Sequence, residues 1–275
     1  MTSKFWDEKR AAGYRDLQFD FPARTLSRSS VILAGGTGGL GSATALLLAH
    51  EGAHLIVGYR QDRVRAAALA AAVEKQSGRK PALVEGDIGD EGVRAQFLAA
   101  AEKSGAPLAG AAIFPGDPAR VPWERLNREA IAASFDLNYT GPVLLAKELG
   151  DAMEKAEGGG SIVLLATMQA LAAFPGSLVY AAPKAALVHA AKILAQQWSR
   201  VRVNVVAPGA TLSGMAAASV QSGKYDRYVE NGAISRFGRP EDIARAVRFF
   251  LEPDNYVTGQ VLAVDGGLTL RRDRG

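Results

Sequence analysis

The residues best suited to chemistry are Tyr180 and Lys184, in the run Tyr180-Ala181-Ala182-Pro183-Lys184. On a helix, positions four apart share a face, so both side chains can enter one space. A phenol with a reference pKa near ~10 is a weak base at neutral pH, and a neighbouring ammonium favours its ionised form. The pair is therefore a plausible acid/base for interconverting a hydroxyl and a carbonyl. The same spacing also describes an ordinary surface pair on a helix.

A second stretch, Ser29 to Gly41, could hold a phosphate. Val31 to Ala34 is an uninterrupted apolar run, as in a strand buried on both faces. Gly35, Gly36, Gly38, Gly39 and Gly41 follow, and then a run of good helix formers to His50. Glycine is costly inside regular elements. A turn that brings a diphosphate close to the backbone, beside a helix N-terminus, accounts for the density. A purely structural turn is the alternative.

The elements that must position these groups alternate along the chain. Strands are expected at 31–34, 54–59, 82–85, 108–114, 162–166, 201–206 and 261–264. Helices are expected from the glycine turn to about residue 51, and over 62–76, 90–103, 123–157, 179–198 and 241–251. The fourth of these should break at Gly141-Pro142. The alternation predicts an α/β fold: one doubly wound, Rossmann-type domain, a parallel sheet of about seven strands with helices on both faces. Ligands then bind beyond the carboxyl ends of the strands. The glycine turn, Asp87, Gly116, Thr167 and Pro208-Gly209 all fall there.

Composition narrows the classes. The chain has 275 residues, enough for one α/β domain, and a net charge of +4. With no cysteine there is no disulfide and no thiolate nucleophile. His50, His54 and His189 lack metal-ligand spacing, so no metal is expected. Arg271, Arg272 and Arg274 read as a solvated basic tail over 271–275, not a nucleic-acid site. No stretch reads as long and apolar enough to span a membrane, and the charged N-terminus does not resemble a targeting signal, so a cytoplasmic protein is expected. Residues 1–28 form an extension carrying Phe5, Trp6, Tyr14, Phe19 and Phe21. It is expected to pack on the domain's own surface; reaching a neighbouring subunit or covering a site is the alternative. The domain proper spans 29–270, with a long substrate loop at 210–238.

Over residues 29–268 the chain resembles the short-chain dehydrogenase/reductase family, and in style its bacterial 3-oxoacyl-thioester reductases. The carriers are Ala34-Gly35-Gly36-Thr37-Gly38-Gly39-Leu40-Gly41, Tyr180 with Lys184, Asp87, Asn138, Pro208-Gly209, the run Arg236 to Asp242, and Gly259 to Gly267. The resemblance implies a dinucleotide site formed by Gly35, Thr37, Gly38, Gly39, Leu40, Gly41, Tyr59, Arg60, Asp87, Ile88, Gly116, Pro208, Gly209, Thr211 and Ser213, with Tyr180 and Lys184 also touching the cofactor. It implies Tyr180 as acid/base, Lys184 lowering the phenol's pKa, and Asn138 supporting a water relay. Two departures stand out. Thr167 occupies the family's catalytic serine position, and its methyl restricts rotamers. Ile113-Phe114 replaces the usual pair of amides before Ala-Gly, which makes the placement of Asn138 less secure.

Strand two ends in Gly58-Tyr59-Arg60-Gln61, without the carboxylate that would repel a 2′-phosphate. Arg60 could grip such a phosphate, so NADP(H) is preferred over NAD(H); Gly38 stands where a second cation might have been. The expected activity is hydride transfer between the nicotinamide and a small carbonyl or alcohol substrate, in a homodimer or homotetramer. A nucleotide-binding sensor or scaffold with little catalysis is the rival. Met168 to Phe174, Met215, Tyr225 and Tyr228 are the candidates to shape the substrate pocket.

Overall fold

In a computed structural model, residues 6–271 are described. Phe5, Arg272 and Arg274, and with them most of the expected basic tail, lie outside the described residues. The strands are β1 (Ser30–Ala34), β2 (His54–Tyr59), β3 (Ala82–Glu85), β4 (Leu108–Ile113), β5 (Gly160–Leu165), β6 (Val201–Pro208) and β7 (Val261–Val264). The helices are α1 (Glu8–Arg15), α2 (Gly39–His50), α3 (Arg63–Ser77), α4 (Glu91–Lys103), α5 (Arg128–Phe135), α6 (Gly141–Lys155), α7 (Leu178–Gln197), α8 (Ala217–Gln221), α9 (Asp226–Glu230), α10 (Pro240–Leu251) and α11 (Leu268–Arg271).

All seven strands form one parallel sheet in the order β3-β2-β1-β4-β5-β6-β7. The order reverses between β1 and β4, which opens a crevice at their carboxyl ends. Successive side chains of β1 point to opposite faces. Ile32 joins Ile56, Phe97, Leu145 and Leu149 on one side, and Val31 and Leu33 join Leu48, Leu55, Val247 and Phe250 on the other. Each such side chain, fully buried, contributes about 1.5–3 kcal/mol. The tips of the strands are therefore rigid supports.

Local signals set the helix ends. Asp62 and Asp90 cap α3 and α4 by accepting backbone N–H bonds, and Gly78, with φ +69°, closes α3. The predicted 123–157 helix differs most from the observed chain. It is divided into a 3₁₀ turn, α5 and α6, and the expected break at Gly141-Pro142 is instead a π-helical turn over Asp136–Thr140. Pro142 lies in the first turn of α6, where a missing N–H costs nothing. Such wide turns often sit at functional sites, and this one holds Asn138.

Two expectations need correction. The described aromatics of the N-terminal extension do not pack on the domain: α1 buries no residue, and Trp6, Tyr14, Phe19 and Phe21 are exposed. Tyr14 stacks on Phe19 at 5.8 Å and Phe19 tilts against Phe21 at 6.3 Å, while Trp6 Nε1 donates to Glu8. Among the described residues the body is met near the end of the extension, at buried Leu26, at Thr25, whose hydroxyl accepts from Arg248, and at Ser27 beside Gly52. Secondly, α7 does meet the length and composition test for a membrane span, with 20 residues and a mean hydropathy of 1.3. Its apolarity has another cause: Val179, Leu187 and Ala191 are buried in the fold, and Leu187 and Ala191 belong to the core on one face of the sheet.

Candidate active site

A cavity of about 420 Å³ runs along the carboxyl ends of the strands. One end is the glycine turn. The first turn of α2 has no side-chain cap and no acidic residue, so its N–H groups and the positive helix end are available to an anion. The turn is tight: a Cβ on Gly41 would come within 2.6 Å of the Gly36 Cα. Gly35, Thr37, Gly38, Gly39, Leu40 and Gly41 all line the cavity. An uncapped helix end behind a cradle that side chains would fill suits a dinucleotide's diphosphate.

Tyr59, Arg60, Asp87 and Ile88 form the next section of wall. Arg60 Nη1 is 3.8 Å from Asp87 Oδ2, and Asp87 Oδ1 accepts the Gly89 N–H. Below them buried Arg94 donates to the Ile88 and Gly89 carbonyls at 3.0 and 2.9 Å and pairs with Glu148 at 2.8 Å. That anchor holds the 87–89 turn against α6. Tyr59 is not free to turn inward, because its hydroxyl donates to Glu85.

Tyr180, Lys184 and Thr167 meet at the centre, with Gly116, Pro208, Gly209, Thr211 and Ser213 around them. α7 presents Tyr180 and Lys184 on one face, as their spacing predicts. Burial pushes the Tyr180 phenol up to about 12, against a smaller downward pull from its hydrogen bond with Thr167. Desolvation dominates, so the shift runs opposite to the depression expected from a neighbouring ammonium. Lys184 itself is buried and lowered to about 7 by desolvation. Its Nζ donates to the Leu165 carbonyl at 2.8 Å and the Pro115 carbonyl at 3.2 Å. Burial thus favours the protonated form of the phenol.

Asn138 is the one catalytic expectation not placed on the cavity wall. It is fully buried. Its Nδ2 donates to the Ser134 and Asp117 carbonyls, each at 3.0 Å, and to Ser134 Oγ, and its Oδ1 accepts the Asp117 N–H. Gly116 lies between it and the lysine: a Cβ there would be 2.7 Å from Asn138 Oδ1 and 3.1 Å from Lys184 Nζ. The loss of the usual amides at Ile113-Phe114 does not loosen Asn138, because Ser134 and the Asp117 backbone hold it.

The structure also brings in residues that motif reading missed. Arg65 Nε donates to the Thr37 carbonyl, so a guanidinium sits beside the glycine turn although Gly38 supplies none. Arg120 and Lys224 line the far end, together with Met168, Gln169, Met215 and Tyr225 from the stretches expected to shape the substrate pocket. Only chain closure over 210–238 could reveal them. Tyr228 instead packs that loop down with Val220, Ile234 and Leu268.

Known proteins align along nearly the whole domain. Residues 34–269 match a family model described as Enoyl-(Acyl carrier protein) reductase. The uncharacterized oxidoreductase YgfF of Escherichia coli (strain K12) is 32% identical over 243 residues, 86% of this chain and 98% of that protein. The 2,5-dichloro-2,5-cyclohexadiene-1,4-diol dehydrogenase of Sphingobium indicum (strain DSM 16412 / CCM 7286 / MTCC 6364 / B90A) is also 32% identical, over 89% of this chain and 98% of its own. A short-chain type dehydrogenase/reductase from Mycobacterium ulcerans superposes with a TM-score of 0.83 at 26% identity, covering 89% of this chain and 91% of that one. Motif order, sheet order and these matches agree: the chain is an enzyme of the short-chain dehydrogenase/reductase family.

Proposed function

We propose that the protein is an NADP(H)-dependent oxidoreductase that interconverts a carbonyl and a secondary alcohol on a small molecule. The observation that carries this reading is the meeting of Tyr180, Thr167 and Lys184 in the same cavity as the uncapped N-terminus of α2. A bound nicotinamide supplies the hydride to the carbonyl carbon or takes it back. Tyr180 gives its phenolic proton to the carbonyl oxygen in reduction, since burial keeps that proton on at neutral pH. Thr167 offers a hydroxyl that holds the same oxygen in place. Lys184, tied to the Leu165 and Pro115 carbonyls, restores the charge balance as the proton moves. Asn138 is a positioning residue, setting the 115–117 backbone against which Lys184 rests.

Arg60 supports the preference for NADP(H), with no carboxylate at the end of β2 to oppose a 2′-phosphate. The chain acts as a dimer or tetramer in this reading, through the outer faces of α6 and α7, where Leu144, Leu178 and Ile193 are exposed. The test is a screen of NADPH and NADH oxidation over ketones, acyl thioesters, quinones and sugars, with Tyr180→Phe as control. Turnover that prefers NADPH and collapses in the variant supports the reading. Tight NADPH binding without turnover of any carbonyl replaces it with the sensor reading.

A further inference from the structure

The substrate end of the cavity carries two cations and no acid to match them. Arg120 comes from the segment after β4, and Lys224 from the turn between α8 and α9; both line the wall. Among the described residues neither forms an ion pair with a carboxylate. The wall's two acids stand elsewhere. Asp87 faces Arg60, and Asp136 lies in the π turn against which Ile88 packs, near Gly141. Asp117, the acid nearest Arg120 in sequence, does not line the wall: its Oδ1 accepts the Ala119 N–H at 2.7 Å and its charge is felt at the Tyr180 phenol, while it forms no ion pair with Arg120.

Arg120 is held in place. Its Nη2 donates to the Met215 carbonyl at 3.2 Å and to Ser219 Oγ at 3.4 Å, so it bridges from the β4 side to the substrate loop. Those bonds use one of its nitrogens and leave the rest of the fork for a ligand. Its charge is felt at the buried Tyr225 hydroxyl, which accepts from Gln169 Nε2 at 3.5 Å. Lys224 lies 5.7 Å from the Tyr225 ring centroid. Arg120, Lys224 and the polar edge of Tyr225 and Gln169 thus surround one corner, while Thr167 and Tyr180 mark the reacting oxygen in the same cavity.

Resting on the oxidoreductase reading, we propose that the substrate is an anionic carbonyl compound, an oxo acid whose carboxylate is received by Arg120 and Lys224. A planar guanidinium meets a carboxylate through two parallel N–H bonds, and a flexible ammonium adds a second charge. Neutral carbonyls lack that anchor.

The test compares 2-, 3- and 4-oxo carboxylates with their methyl esters under NADPH, in the wild type, Arg120→Gln, Lys224→Gln and Lys224→Glu. The expected wild-type ratio of kcat/KM, acid over ester, is at least about tenfold, and it shrinks as salt screens the exposed cations. In each single variant the ratio falls about tenfold, through KM, and Lys224→Glu lowers it further. A ratio at or below one in the wild type overturns the proposal. So does an equal loss on acid and ester in the variants, which is the mark of a merely structural Arg120 bridge. Turnover of other neutral carbonyls without any oxo acid overturns it too. If no carbonyl at all is reduced, the oxidoreductase reading fails separately. Thermal-shift titrations with the same acids and esters then decide: stabilisation by the acid alone, lost in Lys224→Gln, supports the anion site, and equal stabilisation by both overturns it.

Discussion

The two ends of the cavity rest on different supports. The cofactor end is made of strand tips, the first turn of a 12-residue helix, and buried anchors such as Arg94 and Lys184. The substrate end is made of a 3₁₀ turn and two five-residue helices, α8 and α9, with Lys224, Met215 and Arg120 exposed. A wall made of backbone and short side chains is pinned by the packing of the sheet itself. A wall made of long side chains on short helices is held by a few contacts, such as Arg120 on Met215 and the small cluster around Tyr228. The first recognises what dinucleotides share; the second is free to differ in what it admits.

Tyr180→Phe is the sharpest test of whether both ends serve one reaction. Reduction should fall by about 10²–10⁴-fold while NADPH affinity, followed by its fluorescence, stays within about twofold. Thr167→Val removes the hydroxyl bonded to the phenol and proposed to hold the substrate oxygen; a loss of about 10²-fold in kcat is expected, with Thr167→Ser recovering most of it. Full activity in Thr167→Val would assign carbonyl polarisation to another group.

A glycine pair tests the contrast in rigidity. In Gly41→Ala the new Cβ meets backbone at 2.6 Å, so the turn must open. Overpacking of about 1–3 kcal/mol should appear both in thermal stability and as weaker NADPH binding. Gly232→Ala, in the substrate loop at φ +72° with nothing within 4 Å of its Cβ, should cost about 1–2 kcal/mol in backbone strain and leave cofactor affinity alone. Similar losses of NADPH affinity in both would erase the contrast. Arg60→Gln should lower the NADPH-to-NADH ratio of kcat/KM by about tenfold, or about 1.4 kcal/mol, since the side chain is exposed and screened.

A separate test is stability against pH. The Lys184 pKa is lowered from 10.5 to about 7, so between those values the unfolded chain holds the extra proton. Raising the pH through that window therefore favours folding, and the penalty of burying the charge is largest below about 7. The stability difference between wild type and Lys184→Met, read by thermal denaturation, should move in the wild type's favour from about pH 7 to pH 10. Tyr180 does not interfere, because its raised pKa acts only above its ordinary value of 10.

Much of the cofactor end was legible because its requirements are local. A strand, a glycine turn and a helix start occupy adjacent residues, and a helix repeat brings Tyr180 to Lys184. The break in the 123–157 helix was legible, but its form was not. A π turn saves the backbone bonds that a break would lose, and it places Asn138 behind Gly116. The behaviour of the N-terminal extension was misread. Its aromatics imply burial, yet Trp6, Tyr14, Phe19 and Phe21 stay exposed, with Tyr14, Phe19 and Phe21 packing only against one another among the described residues.

The sequence alone determined the parallel doubly wound sheet, the place of the glycine turn on it and the pairing of Tyr180 with Lys184, because each follows from spacing within one element or between neighbours. Only the tertiary structure decided the directions in which that pair's pKa values move, since desolvation depends on what the whole fold packs around it. It also decided that Asn138 turns away from the cavity and that Arg120 and Lys224 turn toward it. Those side chains lie about a hundred residues apart in the chain, and no local pattern encodes a meeting that loop closure alone brings about.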